Sequence, residues 1–144
     1  MKRVAIVKSR FNEEVTSRLL ASCLKTFKSE GWTDAQLKVV EVPGGWEIPW
    51  AAQELAKTNL YSAVVALGCV LKGQTPQNDH ISRSLVQSLH RISLETRVPV
   101  VLGVMTPNTM KQALDRTKGD MDRGHEAALA ALEMIALKEE LRGS

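Results

Sequence analysis

Four short runs rich in β-branched and small apolar residues punctuate this 144-residue chain, at residues 3–8, 37–42, 63–71 and 98–104. Each is followed by a stretch whose apolar positions recur at helical spacing, so strand and helix alternate from end to end. That alternation constrains the fold more than any other feature. Strands joined through helices pair in parallel, and a parallel sheet needs helices over both faces. The order βαβαβαβαα predicts a three-layer α/β/α domain with right-handed crossovers. A flavodoxin-like fold, with a four-stranded parallel sheet of order 2-1-3-4, is the expected arrangement. One domain over residues 1–144 accounts for the length, without repeat, low-complexity tract or linker.

Local signals place the connections. Val15, Leu19, Leu20, Cys23, Leu24 and Phe27 form an apolar stripe that Gly31 ends, and Asn12 is placed to cap that helix, with Glu13 and Glu14 in its first turn. A second helix is expected over residues 49–57, a third over about 79–95, a short one over 106–116 and a last one over about 125–141. The third carries Ile81, Leu85, Leu89 and Ile92 on one face. Its serines, Ser82, Ser84, Ser88 and Ser93, leave the other faces small and polar, which suits packing across a subunit contact. Gly119 and Gly124 frame a charged loop before the last helix. The run at 98–104 reads as too apolar for an edge strand with one wet face.

Composition removes several function classes. The net charge of +3 comes from 19 basic and 16 acidic residues spread along the chain, without a basic cluster, which argues against nucleic acid as a partner. Cys23 and Cys69 fall within a helix and a strand, as packed thiols of a reducing compartment do. No apolar run reaches transmembrane length, and the first strand begins too soon for a signal peptide, so no membrane partner and a cytoplasmic location are expected. Lys8-Ser9-Arg10-Phe11-Asn12 stands where a dinucleotide-binding fold needs its glycines, and neither a P-loop nor a G-x-S-x-G elbow occurs. His80, His90 and His125 lack metal-ligand spacing, so no metal is expected.

What remains is a set of loops at the strand carboxyl ends, where open parallel sheets bind ligands. Gly68-Cys69-Val70-Leu71-Lys72-Gly73-Gln74-Thr75-Pro76-Gln77 is a strand-to-helix corner, and backbone N–H groups at such a corner suit an anion. Phe11, Gly45-Trp46-Glu47 and the segment at 102–105 belong to the same end. Singly, Phe11 and Trp46 read as lid packing, Glu47 as a surface charge and Thr75 as a helix cap. Their coincidence at one edge favours a ligand crevice.

Arg10-Phe11-Asn12, Val42-Pro43-Gly44-Gly45-Trp46-Glu47-Ile48-Pro49, Gly68-x-Val70-Leu71-Lys72-Gly73-x-Thr75 and Val98-Pro99-Val100-x-Leu102-Gly103-Val104-x-Thr106 resemble the lumazine synthase family, in order along nearly the whole chain. Gln112-Ala113-x-x-x-Arg116 and Gly124-x-Glu126-Ala127-Ala128 extend the resemblance. It implies condensation of 5-amino-6-(ribitylamino)uracil with 3,4-dihydroxy-2-butanone 4-phosphate to 6,7-dimethyl-8-ribityllumazine in riboflavin biosynthesis, without a cofactor. It further implies a homo-oligomer, a pentamer or an icosahedral shell of pentamers, with sites between subunits. Phe11 would stack on the pyrimidine, and Gly45, Trp46 and Glu47 would line the ribityl chain. Cys69, Val70 and Leu71 would offer main-chain bonds to the uracil edge. Gln74 and Thr75 would hold the phosphate, helped by Arg116 from the neighbouring subunit and by Arg123.

Four departures from the family pattern bear on the chemistry. Gln77 stands two residues beyond Thr75, where the resemblance implies a histidine that moves protons, and Asp79 matches an acidic residue able to orient a proton carrier. Leu102 replaces an aromatic that would cover the ring. In the loop at 117–124, Lys118 and Arg123 are diluted by Asp120 and Asp122, and the segment expected ahead of the first strand is almost absent. Gln77 and Leu102 also motivate an alternative, a non-catalytic lumazine- or flavin-binding or shell-forming homologue, natural or engineered.

Overall fold

The computed structural model describes residues 1–72 and 75–143. The strands are β1 (Val4–Ser9), β2 (Leu37–Val42), β3 (Ala63–Cys69) and β4 (Val100–Met105). The helices are α1 (Glu13–Ser29), α2 (Ile48–Lys57), α3 (Pro76–Thr96), α4 (Met110–Asp115) and α5 (Arg123–Gly143), with 3-10 turns at Asp34–Gln36, Gly45–Glu47 and Gly119–Met121. The sheet has the order β2-β1-β3-β4, and all three pairings are parallel. The flavodoxin-like expectation is thereby met.

The period-two alternation of the strands divides the core into two halves. Val4, Ile6, Val65 and Leu67 face α1 and α5, where Val15, Leu19, Phe27, Ala128 and Ile135 cover them. Ala5, Val7, Val64 and Ala66 face the other way, under Ile48 and Ala52 of α2 and Leu85, Leu89 and Ile92 of α3. Each fully buried Leu or Ile contributes about 1.5–3 kcal/mol, so the two clusters anchor the sheet from both sides. Helices α1 and α5 approach closely because Gly124 has no side chain; a Cβ there would lie 2.3 Å from the Leu19 carbonyl oxygen. Gly124 is therefore part of α5 and a contact residue, not the end of a loop. Likewise α3 starts at Pro76, three residues earlier than its apolar stripe alone indicates, because Pro is well suited to a first helical turn.

Two further expectations are corrected. Asn12 does not cap α1 through its side chain; it sits at φ 60°, ψ 49°, and makes no capping bond. The run read as too apolar for an edge with a wet face is the edge strand β4, and Leu102 on it is 49% exposed. Helices α3 and α5 cover the rest of that strand but leave Leu102 bare.

Candidate active site

The carboxyl ends of β1, β2 and β3 open onto one rim. Beyond β1 the backbone continues the ladder to β2's exit: Arg10 N–H donates to the Val42 carbonyl at 2.8 Å and Phe11 N–H to the Pro43 carbonyl at 3.1 Å. That pairing carries Phe11 alongside Gly44, whose hypothetical Cβ would meet Phe11 Cβ at 3.9 Å and Glu47 Oε1 at 3.5 Å. Phe11 and Trp46 are 62% and 65% exposed, so both rings stand in solvent instead of sealing the core. Gly45 packs toward β3's exit, where an added Cβ would lie 3.2 Å from Val70 Cγ2. Phe11, Gly45, Trp46, Glu47 and Val70 are thus gathered around one rim.

Two asparagines fix this rim. The Asn12 amide donates to the Cys69 carbonyl at 2.9 Å, tying the β1–α1 corner to the end of β3. The Asn78 amide donates to the Leu71 carbonyl at 2.9 Å, tying the first turn of α3 to the segment that leads into it. Asn12 reaches β3 because its backbone is left-handed, a conformation Asn tolerates better than most residues. Neither clamp follows from the sequence, where Asn12 reads as a cap and Asn78 falls just ahead of the helix expected from about residue 79. Val70 N–H is committed to the Met105 carbonyl at 2.9 Å, so it is not available to a ligand, whereas the Cys69 and Leu71 carbonyls each keep a second lone pair.

At the start of α3, Thr75 is the cap: its Oγ1 accepts from Asn78 N–H at 3.2 Å. That bond uses a lone pair of the hydroxyl and not its proton. Pro76 and Gln77 complete an exposed first turn, and Asp79 is half-buried one step on. A cavity of about 350 Å³, lined by Lys72, Asp79, Arg83 and Thr106, lies between the start of α3 and the end of β4. Another, of about 260 Å³, runs from Trp46 to Leu85 and Ser88 between α2 and α3. Gln74, expected at the phosphate, lies outside the described residues.

Beneath the rim, Lys8 is 2% exposed and bridges Glu13 at 2.8 Å and Glu41 at 3.0 Å. Burial alone would lower its proton affinity, but the two carboxylates outweigh it and the Lys8 pKa is raised; the Lys8 hydrogen bond in turn lowers that of Glu13. The bridge joins β1, α1 and β2, the three elements that carry Phe11 and Gly44. Burial pushes the Cys69 thiol up to about 11 and that of Cys23 to about 12, so neither supplies a thiolate nucleophile near neutral pH. Among the described residues no group of three or more His, Cys, Asp or Glu side chains could hold a metal ion. No helix among them is long and apolar enough to cross a membrane.

Leu102, Arg116 and Arg123 belong elsewhere. Arg123 N–H donates to the Arg116 carbonyl at 2.9 Å, which sets the two arginines side by side between α4 and α5. A shallow recess of about 190 Å³ holds Leu102 and Arg123 together against Gly103 and Glu126. Leu102 lies three residues before Met105, the partner of Val70, and so about 10 Å back along the strand from the rim. Within this chain the candidate site residues fall into two groups, a rim at the strand ends and a patch on the β4 edge.

Fold and rim define an α/β protein with its candidate site residues at the carboxyl ends of a parallel sheet. The chain belongs to the 6,7-dimethyl-8-ribityllumazine synthase family, whose model matches residues 1–139. A Salinibacter ruber protein named 6,7-dimethyl-8-ribityllumazine synthase is 43% identical over 142 residues, covering 98% of this chain and 91% of that one. Proteins of the same name from Trichormus variabilis and from a Nostoc species are each 40% identical over 146 residues, covering 99% of this chain and 77% of theirs.

Proposed function

We propose that the chain is a transferase of riboflavin biosynthesis, condensing 5-amino-6-(ribitylamino)uracil with 3,4-dihydroxy-2-butanone 4-phosphate to 6,7-dimethyl-8-ribityllumazine. The observation that carries this reading is the rim itself, in which an exposed aromatic, a carboxylate beside two glycines and a threonine-capped helix start are held by the Asn12 and Asn78 clamps. Phe11 stacks on the pyrimidine, whose edge bonds to the Cys69 and Leu71 carbonyls. Trp46 and Gly45 flank the ribityl chain, and Glu47 accepts its hydroxyl protons. Thr75 and Gln74 hold the phosphate at the positive end of α3. Val70 contributes packing beside Gly45 more than hydrogen bonding, since its N–H is already used.

The reaction joins the substrate amine to the ketone carbon with loss of water, releases inorganic phosphate, and closes the ring with loss of a second water. Every step moves protons. Gln77 can position a water or a hydroxyl but cannot take up a proton at neutral pH, so the general acid–base contribution, typically about 10²–10⁴-fold, is reduced. Asp79 orients the water that substitutes for it. Holding two reactive substrates together remains the main source of rate. Membership of an enzyme family along the whole chain favours this reading over a non-catalytic binder or shell.

The β4-edge patch completes the site from a neighbouring protomer. Leu102 covers the ring incompletely, and Arg116 and Arg123 reach the phosphate with charge-assisted bonds. A ring of five, alone or as part of a larger shell, satisfies this head-to-tail contact. Purified protein given both substrates forms lumazine, read by its absorbance, faster than the uncatalysed mixture; a rate equal to the uncatalysed one overturns the assignment.

A further inference from the structure

A cavity lies at the opposite end of the sheet from the rim. It measures about 610 Å³ and opens between the entry to β1, the entry to β3 and the last turns of α5. That volume falls within the range of small-molecule sites. Its walls carry four cationic side chains, Lys2, Arg3, Lys138 and Arg142, against one acidic one, Glu139. Lys2 is paired with Glu139. Among the described residues no ion pair joins Arg3, Lys138 or Arg142 to a carboxylate.

Three features make this a receptor geometry instead of a solvated charged face. Arg3 Nε is buried without a hydrogen-bond partner among the described residues, and a buried charged donor left unmet is costly. The Arg3 guanidinium is held over the Tyr61 ring at 5.3 Å, which fixes its plane. Lys138 and Arg142 are four residues apart on α5 and so share a face, and both line the cavity with Arg3. They repel one another: burial first, then the charges of Arg142 and Arg97, lowers the proton affinity of Lys138. An anion between them removes that repulsion.

We propose that this cavity binds a small organic polyanion, a molecule with at least two phosphate or carboxylate groups, through Arg3, Lys138 and Arg142. Leu60, Tyr61 and Ile135 form an apolar side against which its carbon body rests. The site is distinct from the rim, because Arg3 and Tyr61 precede the strands whose far ends carry the substrate residues.

Calorimetric titration with pyrophosphate and, separately, citrate tests this. The host is an Arg116→Gln, Arg123→Gln variant, in which the arginines proposed to serve the substrate phosphate are gone. Saturable binding is expected to survive in that host, and to weaken about tenfold or more when Lys138→Gln or Arg3→Gln is added, as the loss of one charge-assisted contact implies. Preference between the two probes tells phosphate from carboxylate ligands. Lys138 is only half-buried, so its exchange leaves the fold intact even if that of Arg3 does not. Absence of saturable binding of either probe in the host, or binding indifferent to Lys138→Gln, overturns the proposal.

Discussion

The rim at the carboxyl ends of β1 to β3 and the patch on the β4 edge differ in how far one protomer organises them. At the rim, backbone pairing of Arg10 and Phe11 with Val42 and Pro43, the two asparagine clamps and the buried Lys8 bridge hold four chain segments in register. On the patch, Leu102 is 49% exposed, and the ion pair of Arg123 with Glu126, at 3.6 Å, lies on the surface. One region is finished by its own chain. The other presents apolar area and positive charge at the surface, the kind of patch that the proposed contact with a second copy would use.

The two regions respond differently to substitution. The largest effect is expected at Gln77, where exchange for histidine restores a group that titrates near neutrality; kcat rises by about 10² or more with KM little changed. A rate that stays level would mean that the rim does not use this position. Next, Arg116→Gln raises KM for the phosphate-bearing substrate by about 10- to 100-fold, the loss of a hydrogen bond to a charged group, while thermal stability of the isolated chain stays unchanged. Asn12→Ala behaves in the reverse manner. It removes the donor to the Cys69 carbonyl and lowers stability by about 1–3 kcal/mol, read as a fall in Tm, with activity falling as the rim loosens.

The strands and the sheet order were legible in the sequence because four apolar runs alternating with helical stripes admit few other arrangements. Phe11, Trp46, Glu47 and Thr75 could be placed at one end for the same reason: each follows a strand. Asn12 was misread because Asn before an apolar stripe is ordinarily a cap, and only its left-handed backbone frees the side chain to reach β3. Lys8 gave no signal, since a lysine closing an apolar run is normally exposed and its two carboxylate partners are supplied by separate elements. Leu102 escaped because alternation predicts which face of a strand a residue takes, not whether a helix lies over it.

Smaller effects refine the contrast. Leu102→Phe is expected to tighten binding of the uracil substrate only a few-fold, since an aromatic contact adds about 0.5–1.5 kcal/mol, and to do so only in the assembled protein. The Lys8 bridge gives the rim a pH dependence. The Glu13 pKa is lowered from its ordinary 4.5, so its contribution is present above that value and is lost as pH falls through the lower folded pKa. The Lys8 pKa is raised from 10.5, so its contribution is full below that value and is lost as pH rises through the higher folded pKa. Denaturation followed between those limits should be flat with respect to this bridge, and Lys8→Met should remove the loss at both ends.

Complementation between damaged protomers tests most directly whether rim and patch from different subunits form one site. A Glu47→Gln variant and an Arg116→Gln variant, each with little activity alone when the phosphate-bearing substrate is kept well below the raised KM, are unfolded together and refolded as a mixture. If every site takes its rim from one protomer and its patch from the next, random assembly leaves half of the rims and half of the patches intact, and about a quarter of the sites whole. Recovery of about a quarter of the activity of the unaltered protein is the expected result. A mixture no more active than the mean of its two components would contradict a shared site.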